Sequence, residues 1–349
     1  MTADAVGGVW TYALDLADAL AERDVEVTLC VMGPAPDRGQ WAELRASRVE
    51  RVHADDYALE WMEDPWEDVE CAGEWLLRIA EDVRPDVVHL NGYAHAALPW
   101  GAPVVVVGHS DVLSWHEAVR RQTAGPPWRR YRDALVRGLA AADLLVAPTQ
   151  AMLDELIRLY EPPCPRLVIA NGSRRRFPPF PKSHFVLAAG RAWDEAKNVQ
   201  ALVRAAPRVP WPVVLCGEGA VGSGVAVFGR LRREQFDRAL AAAAIFAAPA
   251  RYEPFGLAAL EAGRAACALV LGDIASLREV WGSAALYVPP DDDDELERTL
   301  RLLMAQRDLR VDYARRARRQ ANGYSSERMA EAYLSAYGRV LRRADVGAA

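Results

Sequence analysis

Short apolar runs rich in valine and leucine alternate with longer helical patterns along nearly the whole chain. This alternation constrains the fold more than any other feature. A strand covered on both faces of a parallel sheet must be apolar at successive positions, whereas the crossover helix between two such strands needs only one apolar stripe. Eleven runs read as strands: EVTLCVM, DVVHLN, PVVVVGH, LLVAPT, RLVIAN, FVLAAG, PVVLCG, VAVFG, IFAAPA, CALVLGD and ALYVPP. That is more than one domain usually needs, and 349 residues is a length suited to two. The strongest interruption is NGSRRRFPPFPKSH, a proline-broken basic stretch, which places a boundary between Asn171 and Lys182. The expected organisation is a first domain over 1–172, a second over 173–324 and a C-terminal helix over 325–349. Met329, Tyr333, Tyr337 and Leu341 form one stripe on that helix, suited to packing back on the first domain.

Composition narrows the function classes. With 51% hydrophobic and 26% charged residues the chain can bury a real core. A formal net charge of -6 gives no basic footprint for nucleic acid, so a small-molecule substrate is expected and a nucleic-acid partner is not. Cys30, Cys71, Cys164, Cys216 and Cys267 are odd in number and scattered, which predicts buried thiols in a reducing, cytoplasmic setting rather than disulfides or zinc ligands. No run is long enough to span a bilayer, so integral membrane association is not expected. At the N-terminus only three residues stand before the turn that leads into the first helix. The first strand is therefore expected to be truncated and the first sheet to lack a central strand.

Four stretches could serve chemistry. Gly217, Gly219 and Gly222 spell G-x-G-x-x-G, but a strand rather than a helix follows, so a glycine-rich strand-to-strand connection is the better reading than a dinucleotide site. Gly7-Gly8 precedes an amphipathic helix directly, which suits either backbone amides approaching an anion or a plain turn. GRAWDEAKN places Arg191 and Lys197 after the strand FVLAAG, at the edge where α/β sheets bind ligands. Two cations there can neutralise a diphosphate, or simply be solvated. In RYEPFGLAALE, Glu253 leaves a strand, Pro254 suits a first turn, and Phe255-Gly256-Leu257 opens a helix with Glu261 farther along it. The arrangement offers one carboxylate and several amide donors to a single ligand, with Glu261 either a second acceptor for sugar hydroxyls or an ordinary exposed helix glutamate. The run Asp291 to Asp294 reads as the solvated first turn of a helix.

RYEPFGLAALE resembles the E-x7-E signature of retaining nucleotide-sugar glycosyltransferases, the large family that includes glycogen synthase, sucrose synthase and many bacterial mannosyl- and glucosyltransferases (family 4 type). The glycine doublet, His109 in VVVVGHS, the NGS linker, Arg191, Lys197, the E-x7-E block and the final helix occur in family order over almost the full chain. The resemblance implies an α/β fold of the GT-B class: two Rossmann-like domains facing across a cleft, with the C-terminal helix returning to the first. It implies an acceptor-side first domain and a second domain that holds the nucleotide sugar. Arg191 and Lys197 would grip the donor diphosphate, aided by amides at Gly8 and at Phe255, Gly256 and Leu257. Glu253 would touch the donor sugar, Glu261 the ribose, and His109 would act at the reacting centre as the second catalytic residue beside Glu253. Taken alone, His109 also reads as a satisfied core histidine.

The implied activity is transfer of a hexosyl group from a nucleotide-diphosphate sugar to an acceptor, glycan or small molecule, with retention of configuration and without metal or other cofactor. A nucleotide-sugar epimerase or hydrolase on the same fold, and a non-catalytic sugar-binding scaffold, are the alternatives. Two departures from the family limit the transfer. The early start leaves the Gly7-Gly8 loop with little strand behind it, and GDIASLREV lacks the usual glycine-rich turn, so contacts at Ser276 to Glu279 are not carried over. The acidic, aromatic stretch from Asp55 to Glu70 is expected to be a surface helix burying Trp61 and Trp66, with sugar stacking as the other reading.

Overall fold

A computed structural model describes residues 1–219, 222 and 224–348, with side chains described as far as residue 343. It divides into two compact units, Met1–Gly172 with Ser326–Ala349, and Ser173–Ser325.

The first unit contains two parallel sheets. One has β1 (Thr2–Asp4), β2 (Thr28–Met32) and β3 (Arg51–Ala54); the other has β4 (Val88–Leu90), β5 (Val104–Val107), β6 (Leu144–Ala147) and β7 (Arg166–Val168). The expected missing strand is present. β1 is three residues long and pairs Thr2 with Cys30, Ala3 with Val31 and Asp4 with Met32. On its other side it meets the residue after β4: the Asn91 N–H donates to Thr2 Oγ1 at 2.9 Å, and the Asn91 side-chain amide donates to the Thr2 carbonyl at 2.6 Å.

The helix Gly8–Ala21 buries Trp10, Tyr12, Leu16 and Leu20 together. A helix apolar on so much of its surface must be covered on several sides, and the C-terminal helix Ser326–Ala348 supplies one cover. Its Met329 and Tyr333 are buried, and the rings of Tyr12 and Tyr333 lie 6.2 Å apart.

The second unit is one six-stranded parallel sheet in the order β10-β9-β8-β11-β12-β13, with β8 (Ser183–Ala189), β9 (Val213–Cys216), β10 (Val225–Val227), β11 (Ala243–Ala248), β12 (Ala268–Gly272) and β13 (Leu286–Val288). Val186, Leu215, Ile245 and Val270 from its strands pack with Leu300 and Leu303 from the helix Asp293–Ala305. Strand order reverses between β8 and β11, because β9 and β10 are laid down on one side and β12 and β13 on the other. In open α/β sheets this reversal opens a crevice at the carboxyl ends of the two strands.

All eleven expected runs are strands. β3 was not expected, because Arg51-Val-His-Ala sits at a sheet edge with its residues half or fully exposed and has no apolar run. Two further expectations are corrected. The stretch from Asp55 to Pro65 is not helical; a helix begins only at Trp66 (Trp66–Val83). Glu60 draws the chain inward instead, accepting the N–H groups of Tyr93 at 3.0 Å and Ala94 at 2.7 Å, and its burial raises its pKa. Trp61 is exposed, and Trp66 carries the Arg130 guanidinium 5.0 Å above its ring. Cys71 is exposed, whereas the other four thiols are buried; burial raises the pKa of the Cys216 thiol to about 11. Asp292 caps the helix Asp293–Ala305 through the Glu295 N–H at 2.8 Å, as the acidic run suggested. Among the described residues no helix is long and apolar enough to cross a membrane.

Candidate functional site

The loops leaving β8 and β11 flank the strand-order reversal of the second unit, and both are held by short backbone contacts. Gly217 lies so close to Gly190 that a Cβ on it would stand 1.8 Å from the Gly190 carbonyl oxygen. The next strand, β10, begins at Val225, so Gly217 and Gly219 belong to a strand-to-strand connection rather than to a helix-opening phosphate loop. Their small size lets the β9 loop brace the β8 loop, with the Ala192 N–H donating to the Glu218 carbonyl at 2.8 Å.

On that braced loop, Arg191 donates to Asp194 Oδ2 at 2.8 Å and lies 4.9 Å from the Trp193 ring centroid. Asp194 is buried, and its other oxygen accepts the Ala196 N–H at 3.0 Å, so the carboxylate that aims Arg191 is itself fixed. Lys197 follows on a single 3-10 turn and donates to Glu253 Oε2 at 2.6 Å. Lys197 and Glu253, 56 positions apart in the chain, are thus brought together. Arg191 stands on the same loop, with its charge engaged by Asp194 rather than by Glu253.

Asn198 fastens the two loops. It is 2% exposed, adopts φ +52°, and its amide donates to the carbonyls of Pro249 at 2.9 Å and Pro290 at 2.6 Å. The Arg251 N–H adds a bond to the Ala196 carbonyl at 2.8 Å. From the far side, Ser276 Oγ donates to the Glu253 carbonyl at 2.6 Å. Lys197, Glu253, Gly256 and Leu277 line one small recess at this point.

The helix Leu257–Arg264 opens after Gly256, whose φ of +89° is a left-handed conformation suited to glycine, and no side chain caps it. Phe255 is buried against Tyr324 with ring centroids 5.6 Å apart, so its contribution to a ligand is limited to its backbone. Glu261 is not an exposed helix glutamate: it is 4% exposed and bonded to Arg233.

In the first unit, Gly8 begins its helix after Gly7 and both are exposed. His109 follows β5, half-buried, with Nε2 2.8 Å from Asn91 Oδ1 and its ring 4.4 Å edge-on to Tyr12. Burial pushes its pKa down to about 3, so the ring is neutral at physiological pH. His116 lies between Trp115 and Trp128 and has no such polar setting.

Two family models divide the chain as the two units do. Glycosyltransferase Family 4 matches residues 6–173 and Glycosyl transferases group 1 matches residues 172–320. The chain belongs to the family 4 type glycosyltransferases. Among curated relatives, the D-inositol 3-phosphate glycosyltransferase of Xylanimonas cellulosilytica is 27% identical over 395 aligned positions, covering 98% of this chain and 94% of that protein. The O-antigen chain mannosyltransferase B of Escherichia coli is 25% identical over 244 positions, 60% of this chain and only 64% of the relative. Sucrose-phosphate synthase from Thermosynechococcus elongatus has the same fold with a TM-score of 0.79, 18% identity and coverage of 98% and 99% of the two chains. HepE from Anabaena, solved with UDP and glucose, matches with a TM-score of 0.73, 15% identity and coverage of 97% and 99%. At these identities the solved structures speak for the GT-B type of two-domain α/β fold.

Several residues that organise the glycosyltransferase's candidate site went unread in its sequence. Asn198 and Ser276 act on main-chain carbonyls far along the chain, a role that no motif records. Arg233 left no signal either: it opens its helix as Arg38, Arg129 and Arg307 open theirs, and only the fold brings it to Glu261.

Proposed function

We propose that this glycosyltransferase moves a hexosyl group from a nucleotide-diphosphate sugar to a hydroxyl acceptor, with retention of configuration and without a metal ion. The observation that supports this reading best is the Lys197–Glu253 pair, 2.6 Å apart, on loops that meet at the strand-order reversal beside Arg191.

Lys197 and Arg191 are the groups assigned to the diphosphate. Each is aimed in advance by a carboxylate, so little rearrangement accompanies binding. The amides at Phe255, Gly256 and Leu257 add uncharged donors, and Gly8 is assigned as a further backbone donor. Glu253 spends Oε2 on Lys197 and keeps Oε1 for a hydroxyl of the donor sugar. Glu261 reaches the ribose only by sharing its charge with Arg233. His109 is assigned to the reacting sugar.

In the reaction, the bond from the anomeric carbon to the β-phosphate oxygen breaks ahead of bond formation, giving an oxocarbenium-like state. The acceptor hydroxyl attacks on the same face, and its proton passes to the departing phosphate oxygen. The products are the glycosylated acceptor and the nucleoside diphosphate. Charge accumulates on the leaving group, so cations fixed beside it lower the barrier more than they lower the energy of bound substrate.

The test is incubation with UDP-, GDP- and ADP-sugars, with and without acceptors and with and without a chelator. UDP-glucose comes first because HepE was solved with UDP and glucose, and inositol and sugar phosphates lead the acceptors because of the relatives' names. Acceptor-dependent release of nucleoside diphosphate, with the product anomer matching the donor by NMR, is the expected result. Inversion, or loss of turnover under chelation, refutes the mechanism. A sugar altered or released without acceptor identifies an epimerase or hydrolase instead.

A further inference from the structure

We infer that Asn91 is a positioning residue that locks His109 as its Nε2–H tautomer, so that His109 meets the donor sugar as a hydrogen-bond acceptor through Nδ1. The inference rests on the proposed role of His109 at the reacting sugar. The Asn91 side chain is oriented by β1: its Nδ2 donates to the Thr2 carbonyl at 2.6 Å, while its own backbone N–H is held by Thr2 Oγ1 at 2.9 Å. A carbonyl accepts only, so Nδ2 must face Thr2 and Oδ1 must face the imidazoles. Oδ1 lies 2.8 Å from His109 Nε2. An amide oxygen has no proton to give, so that nitrogen carries the hydrogen. A neutral imidazole has one N–H, and Nδ1 is left with its lone pair.

The surroundings support the neutral form. His89 Nε2 lies 3.3 Å from both Asn91 Oδ1 and Tyr12 Oη, and His89 Nδ1 lies 2.7 Å from Tyr337 Oη on the C-terminal helix. Tyr333 stacks obliquely on His89 with centroids 5.2 Å apart. Among the described residues, the titratable groups that touch or act on the pair are Tyr12, Tyr333, Tyr337, each other and the Met1 amino group, and none of these is a carboxylate that would favour an imidazolium. Burial pushes both histidines down to about 3. The chemistry gains from this. An imidazolium beside a carbon that is becoming positive would oppose the transition state. A neutral ring that accepts a sugar O–H polarises that oxygen toward negative charge and favours it.

The direct test is long-range proton–nitrogen NMR of the full chain labelled at histidine, with the His109 signals assigned from H109Q. The expected spectrum has the proton on Nε2 and no titration between about pH 5 and 8, across the ordinary histidine value near 6.5. A proton on Nδ1, or titration near 6.5, overturns the inference whatever the variants do.

Asn91→Asp offers the same acceptor with a negative charge, which favours the imidazolium. His109 should then titrate within that range, and kcat/KM should acquire an acid limb, falling as pH drops through the new pKa. Asn91→Ala should mix the tautomers and lower kcat by at least about tenfold, with little change in donor KM. An unchanged pH profile in a folded Asn91→Asp protein overturns the inference. If H109Q keeps near-normal kcat, the assigned role of His109 is wrong while the measured tautomer stands. If H109Q is inactive but the wild-type ring is protonated on Nδ1, the role stands and the lock is wrong.

Discussion

Lys197 gains its place from residues that have no charge of their own to offer a ligand. Asn198 pins the turn it ends, Ser276 steadies the backbone of its partner, and Gly217 lets the neighbouring loop close behind Gly190. Lys197→Ala and Glu253→Ala should each lower kcat/KM by about 30- to 1000-fold, the effect of removing roughly 2–4 kcal/mol of charge stabilisation. Circular dichroism should be unchanged, because both side chains are partly exposed; near-normal turnover in either variant would refute its assignment. Gly217→Ala should fail differently. Its new methyl collides with backbone rather than with a flexible side chain, so a loss of about 1–3 kcal/mol in urea denaturation is expected, with a matching loss of donor binding. The residues legible in the sequence were those whose chemistry shows in their own letter: paired carboxylates around a proline-glycine turn, and cations after a strand. Asn91, Asn198 and Ser276 were not legible, since an amide or hydroxyl acquires meaning only from the distant atom it reaches.

Among the elements, strands buried on both faces announced themselves and marginal ones did not. β5, four consecutive valines, is wholly buried and was read directly. β1 and β3 were missed for opposite reasons: β1 is too short to show a period, and β3 lies at an edge where polar residues are tolerated. The stretch before Trp66 suggests a helix only by its acidic and aromatic composition, which fixes no period, while Glu60 finds its partners in the amides of Tyr93 and Ala94. The coupling of the β8 and β11 loops can be tested at Asn198. Asn198→Gly keeps the left-handed backbone but deletes both carbonyl contacts, so it should cost about 2 kcal/mol, near 1 for each neutral hydrogen bond. A urea midpoint equal to wild type would mean that the loops are joined by other contacts.

At the scale of the molecule, ligand and proton linkage supply the tests. A nucleotide-diphosphate sugar that binds only the native state should raise Tm, by an amount that grows with concentration, and Lys197→Ala should blunt that rise. Absence of a shift with every UDP-, GDP- and ADP-sugar would count against the proposed donor class. His89 and His109 are held neutral with pKa values pushed down to about 3. Between that value and the ordinary one near 6.5 the unfolded chain binds protons that the folded chain refuses, so stability is full above about pH 6.5 and falls as pH drops toward 3. Each histidine adds up to about 1.4 kcal/mol per pH unit to the slope. Glu60 and Asp111, whose pKa values burial raises, act with the opposite sign, so the comparison that isolates the histidine term is wild type against His89→Gln. An equally steep acid limb in that variant would remove His89 from the account.

The first unit takes its last helix from Ser326 onward, and Tyr333 and Tyr337 of that helix close over Tyr12 and His89. During synthesis, then, the half made first on the ribosome is the half finished last. It must wait with Tyr12 uncovered while 153 intervening residues, Ser173–Ser325, emerge and form a sheet of their own. Nascent chains arrested before Ser326 should engage chaperones that full-length chains escape.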